Sequence, residues 1–129
     1  LVRHVAEGGF DGQVGYWRSV LEGAAVELPV DHPGGGNTMR SQASVQASLG
    51  AADTAALLLD VPDVYRTQVN EVLLAALGRV LERWTGCARV AVNLEGHGRE
   101  ELFDGVDLTR TVGWFTAIHP VALDVSGSG

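Results

Sequence analysis

Between Thr67 and Trp84 the chain sets apolar side chains at helical spacing, and beyond Gly86 it switches to strict alternation. Val69, Val72, Leu73, Ala76, Leu77, Val80, Leu81 and Trp84 predict one broad apolar helix face, with Gln68, Glu71, Glu82 and Arg83 on or near the other. Gly86 is the expected stop, because glycine adopts the left-handed conformation that ends helices. From Arg89 to Leu94, Val90, Val92 and Leu94 point one way, while Arg89, Ala91, Asn93 and Glu95 point the other. A helix and a strand that each carry an apolar side, joined by a short turn, bury those sides in a layered α/β arrangement. Glu95 then falls at the end of the strand, on its less apolar face.

The remaining segments fit that architecture. Val14, Trp17, Val20 and Leu21 predict a helix over 12–22, stopped by Gly23. Leu28 to Gly36 holds two prolines and three glycines, which predicts an extended connector and the place for a hinge. Ala43, Val45, Ala47 and Leu49 alternate with Ser44, Gln46 and Ser48, predicting a strand with one polar face. Ala51 to Leu59 predicts a short helix closed at Pro62. Residues 102–111 read as a loop and 112–118 as a strand, with Val121, Leu123 and Val125 continuing the alternation after Pro120. There is no internal repeat. The expected fold class is α/β, a mixed sheet packed with helices.

Composition excludes several functions. The chain has 129 residues and a formal net charge of −7, with no Lys/Arg block. An acidic surface repels phosphate backbones, so nucleic acid is not an expected partner. The single cysteine, Cys87, excludes an internal disulfide and a cysteine zinc cage. It fits a reducing, cytoplasmic compartment and reads as a small buried thiol. Apolar runs such as Ala55 to Leu59 are far too short to span a membrane. Met39 is the only methionine and the tail Ser126–Gly129 reads as a linker, so the expectation is a piece of a longer polypeptide.

The densest chemistry lies in Leu94-Glu95-Gly96-His97-Gly98-Arg99-Glu100 and Arg110-Thr111-Val112-Gly113-Trp114-Phe115-Thr116. The first stretch gathers carboxylates, an imidazole and a guanidinium around two glycines, which is poor core material and suits a sharp polar turn. Glu95 can serve as a general acid or base, or be a surface carboxylate paired with Arg99 or Arg89. His97 can shuttle a proton or hold the turn. No second histidine stands nearby and the zinc-protease spacing is absent, so no metal is expected. Arg99 can neutralise Glu100 or Glu95, and Arg110 can pair with Asp107 or Asp104. Trp114 and Phe115 read from their residue types alone as core. Gly34 to Gly36 does not open a helix after a strand, so a phosphate loop is unsupported.

Taken together, Glu95-Gly96-His97-Gly98-Arg99-Glu100, then Arg110-Thr111-Val112-Gly113-Trp114-Phe115-Thr116 and Pro120, resemble the epimerization domains of non-ribosomal peptide synthetases, within the condensation-domain superfamily. Upstream, Glu71-Val72-Leu73-Leu74-Ala75-Ala76-Leu77-Gly78 resembles that family's Asp-x-Leu-Leu-x-Ala-x-Gly helix motif, with Glu71 replacing Asp. Tyr16-Trp17-Arg18 to Leu21, and Leu28-Pro29 with Asp31 and Pro33, resemble the segment after the family's first lobe. The resemblance covers most of residues 12–124.

It implies a lobe like that of chloramphenicol acetyltransferase and inversion of the α-carbon of an aminoacyl or peptidyl thioester. That substrate hangs on the 4′-phosphopantetheine arm of a partner carrier domain, with no cofactor bound directly. It implies Glu95 as an acid/base residue, with Gly96, His97, Gly98, Arg99, Arg110 and Trp114 shaping the site. The products of such enzymes belong to secondary metabolism, including antibiotics.

There are departures. The family's His-His-x-x-x-Asp-Gly motif and its closing Gly-x-Gly-Tyr-Gly and Phe-Asn-Tyr-x-Gly motifs are absent, His119 stands where Tyr is common, and Asp124 where Glu is common. The expected division is therefore 1–11 as the end of a preceding segment, 12–36 as helix and inter-lobe connector, 37–125 as a partial C-terminal lobe, and 126–129 as linker or tag remnant. Such a fragment, lacking the first lobe, is expected to be inactive by itself. Two other functions fit the same residues: a peptide-bond-forming condensation domain, and a non-catalytic docking module.

Overall fold

The structure, a computed structural model, describes residues 2–101 and 103–127. The order is α1 (Val2–Ala6), a 3-10 turn at Asp11–Gln13, α2 (Val14–Leu21), a long connector, α3 (Ala51–Ala55), α4 (Val61–Tyr65), α5 (Val69–Thr85), β1 (Arg89–Gly96) and β2 (Ala117–Asp124). The strands pair antiparallel over their full length, from Arg89 opposite Asp124 to Gly96 opposite Ala117. Ala25 adds a parallel bridge on the far edge of β1 by bonding both ways, its N–H to Arg89 O at 2.9 Å and its carbonyl from Ala91 N at 2.8 Å. The result is an α/β fold with a small mixed sheet.

The sheet lies between two helices. On one face Gly78 of α5 meets Leu123 and Val125; a β-carbon there would stand 3.1 Å from Val125 Cγ1 and 3.4 Å from Leu123 Cβ. The glycine that closes the helix motif is thus the point where α5 approaches β2. Leu81, 7% exposed, and Val90, 3% exposed, form the buried core beside it. On the opposite face Arg89 donates from Nη2 to the Val20 carbonyl of α2 at 3.0 Å.

Helix α5 begins where Gln68 N–H donates to the Glu71 carboxylate at 2.8 Å, with the Thr67 hydroxyl donating to the same oxygen. These two bonds, the Thr67 one first, hold the Glu71 carboxyl below its ordinary value. It ends at Gly86, φ 73°, as the sequence requires. The apolar face divides, however. The sheet covers the side of Gly78 and Leu81, whereas Leu73, Leu77, Val80 and Trp84 remain exposed.

Pro120 sits inside β2, which a central strand would not tolerate. The bond from Val125 N to Ala88 O sets the phase of the ladder. By alternation Pro120, opposite Asn93, turns its missing N–H away from β1.

Four sequence expectations need correction. The alternating 43–49 segment forms no strand among the described residues; it is exposed throughout and has no ladder partner. The helix after Gly50 does not stop at Pro62. It widens at Ala56–Asp60, where Val61 N–H reaches back five residues to Ala56 O, and continues as α4. A wide turn relieves the clash between the proline ring and the carbonyl four residues earlier. Residues 112–116 are irregular, and β2 starts only at Ala117. Cys87 is exposed, because the chain leaves the helix at Gly86 before reaching the sheet. The tail residues Ser128 and Gly129, with Leu1 and Leu102, lie outside the described residues.

Candidate functional site

β1 delivers Glu95 to the open end of the hairpin, opposite Ile118. The chain then turns through His97 and Gly98. Gly98 has φ 63°, and a β-carbon on it would fall 1.6 Å from the Phe115 carbonyl oxygen. Any side chain here would drive the turn off the Phe115 backbone, so the position requires glycine.

Arg99 does not pair with a carboxylate. Its Nη1 donates to the Leu108 carbonyl at 2.5 Å and to Thr111 O at 3.1 Å, and its Nη2 to Gly113 O at 3.3 Å. Its guanidinium also stacks on Phe115, 4.6 Å from the ring centroid. One planar fork therefore gathers three carbonyls of the 103–116 loop and one aromatic face, a task for which Lys has neither shape nor donors. Arg89, the other expected partner of Glu95, is engaged with Val20 at the far end of β1.

Local turns complete the loop. Asp107 Oδ1 accepts the Thr109 N–H at 2.8 Å. That bond, and then the Thr109 hydroxyl, holds the Asp107 carboxyl below its ordinary value. At the other end Phe103 packs edge-on against His4 at 5.4 Å, and His4 against Phe10 at 4.7 Å, so the N-terminal segment braces the loop.

Two spaces lie on either side of the Trp114–Phe115 segment. An open groove of about 980 Å³ is lined by Asn70, Glu95, His97, Arg99, Val112 and Gly113, among others. A cavity of about 490 Å³ is lined by Phe103, Val106, Leu108 and Ala117. Glu100, Trp114, Phe115 and Thr116 belong to both. Glu100 folds back over the strand end, its Oε1 3.9 Å from where a β-carbon on Gly96 would stand.

The sequence-derived residues therefore converge in part. Glu95, Gly96, His97, Arg99 and Trp114 line the groove, with Glu95 and His97 themselves exposed at its mouth, and Gly98 lines the adjoining cavity. Arg110 is exposed and lines neither space. The core reading of Trp114 fails: it is 89% exposed, because the loop presents it outward as a wall. Residue types alone do not single out Asn70, which arrives from the first turn of α5, or Val106 and Leu108, whose spacing follows no regular period. Among the described residues, no three His, Cys, Asp or Glu side chains converge to hold a metal, and no helix is long and apolar enough to cross a membrane.

Comparison with known proteins places this geometry. The condensation domain family model matches residues 7–129. Chondramide synthase cmdD of Chondromyces crocatus is 57% identical over 111 residues, which are 86% of this chain and 3% of that protein. Part of the linear gramicidin synthase of Brevibacillus parabrevis is 49% identical over 124 residues, 95% of this chain and 2% of that protein. Surfactin synthase subunit 1 of Bacillus subtilis is 43% identical over 111 residues, 85% and 3%. The chain thus spans only a few per cent of these relatives. The crystal structure of the epimerization domain from the third module of tyrocidine synthetase B superposes with a TM-score of 0.76 at 34% identity, covering 91% of this chain and 26% of that one.

Proposed function

Since this chain belongs to the condensation domain family of non-ribosomal peptide synthetases, we propose that it is part of a domain that inverts the α-carbon of an aminoacyl or peptidyl thioester. The observation that carries the reading is Glu95 at the end of β1, lining a groove with His97 and walled by Trp114 and Phe115. Inversion removes the α-proton from one face and returns a proton to the other. Glu95 is the acid/base group for one of those transfers. The electron pair left on carbon delocalises onto the thioester oxygen and is quenched when the second proton arrives. No adjacent His pair occurs in this sequence, so on this reading the opposite acid/base group is supplied by another lobe.

The other residues act as supports. Arg99 holds the wall, Gly98 permits the turn, and Arg110 lies outside the groove. Residues 12–36 serve as helix and inter-lobe connector and 37–125 as the partial lobe. The substrate arrives on the phosphopantetheine arm of a carrier domain. The likeness to a solved epimerization domain, together with the two ordered motifs, supports inversion.

Amide formation between two carrier-bound acyl groups is the second reading, favoured by the description of the matching family as a condensation domain. A synthetase module carrying this segment, with its carrier chemically loaded with an L-aminoacyl thioester, separates the two. Chiral analysis after thioester release is expected to show the D-isomer without any acceptor substrate. Retention of the L-isomer, with amide product formed only when a second loaded carrier is added, would overturn the inversion reading.

A further inference from the structure

The 490 Å³ cavity behind the Trp114–Phe115 wall has no part in proton transfer, yet it opens on the same rim as Glu95. Its volume falls within the roughly 300–1,000 Å³ usual for small-molecule sites. Phe103, Val106, Leu108, Phe115 and Ala117 give it an apolar lining, and its charged lining residue is Glu100, which also lines the neighbouring groove. Its walls are built in. Arg99 binds the Leu108 carbonyl and stacks on Phe115, and His4 packs on Phe103.

We propose that this cavity receives the side chain of the thioester substrate, and that it selects large apolar side chains over small or acidic ones. The inference rests on the inversion reading. Trp114, Phe115 and Thr116 line both spaces, so a substrate whose α-carbon faces Glu95 has its side chain directed across that shared wall. An apolar side chain displaces water from an apolar lining, which favours binding in proportion to the area covered. An aspartyl side chain would bring a second carboxylate beside Glu100 and lose its hydration.

The test uses a synthetase module carrying this segment, with carriers chemically loaded with L-phenylalanyl, L-alanyl or L-aspartyl thioesters. The readout is the ratio of inversion kcat/KM for phenylalanyl over alanyl. The parent module is expected to favour phenylalanyl, with aspartyl poorest. Val106→Trp, which fills the cavity, is expected to lower the ratio about tenfold or more, and Leu108→Ala, which removes apolar contact, to lower it less. If Val106→Trp loses all inversion through misfolding, the Leu108→Ala ratio decides. A parent that inverts all three substrates equally, or a ratio that neither substitution moves, overturns this inference and leaves the inversion reading standing. A parent that inverts none of them overturns the inversion reading instead.

Discussion

The helix–sheet body and the 97–116 loop are held by different forces. In the body, α5 lies on the β1–β2 pair because Gly78 lets it come close, and Leu81 and Val90 are buried where they meet. In the loop, one guanidinium holds three carbonyls and an aromatic ring, and the side chains it positions stay largely in solvent. Packing is cooperative and spreads the effect of any change. A hydrogen-bonded hub is local, so the loop can be disturbed while the body persists. The groove of Glu95 is made where the two meet, with its carboxylate on the rigid strand end and its wall on the loop.

The largest expected effect is in the body. Leu81→Ala should lower global stability by about 2–5 kcal/mol, read as a fall in the thermal midpoint by circular dichroism. A change confined to the loop would break the contrast. Two glycines sharpen it. Gly98→Ala places a β-carbon within the Phe115 carbonyl and forces a left-handed alanine, a cost of about 1–3 kcal/mol for the backbone strain alone. Gly78→Ala needs a neighbour to yield only a few tenths of an ångström and should cost less, about 1 kcal/mol. Denaturant unfolding of both variants tests that order.

Arg99→Met should free the loop at a local cost of about 1–2 kcal/mol, less than buried charged hydrogen bonds give because the site is wet. Limited proteolysis is expected to cut within 103–113 while the thermal midpoint holds, and Arg99→Lys should not restore protection. Equal protection of the Lys variant would mean that charge, rather than the fork, holds the loop.

The smallest effect concerns acid. Glu71 in the body and Asp107 in the loop are both held below their ordinary values of 4.5 and 3.8 by hydrogen bonds to their charged forms. A depressed carboxyl adds stability that is present above its unfolded value and lost as pH falls through its folded value. Both regions should therefore weaken only below about pH 4.5. Both groups are exposed, so the loss is slight. Glu71→Gln should flatten the fall of the thermal midpoint on acidification; an unchanged acid limb would remove Glu71 from the helix start.

Legibility in the sequence follows the same division. Helix α5, its glycine stop and strand β1 are readable because burial on one side imposes a period on the residues. The 43–49 segment is not, since alternation shows a capacity for pairing and says nothing of a partner. The continuation through Pro62 needs a backbone geometry that residue types do not encode. In the site, Glu95, His97 and the glycine turn are visible as a polar cluster between glycines. The task of Arg99 is hidden because its acceptors are backbone carbonyls, which every residue carries. Trp114 reads as core from its apolarity alone. Its neighbours fix it as a wall, and they come from a loop without a period.

The most direct test of the account is solvent deuterium incorporation at the α-carbon of a carrier-bound L-aminoacyl thioester, in a module carrying this segment. Glu95→Gln is compared with Glu101→Gln, an exposed carboxylate that lines neither space beside the Trp114–Phe115 wall. The expected result is a loss of about 10²–10⁴-fold for Glu95→Gln with Glu101→Gln at the parent rate. Incorporation at the parent rate in Glu95→Gln would contradict the assignment of that carboxylate to the proton transfer.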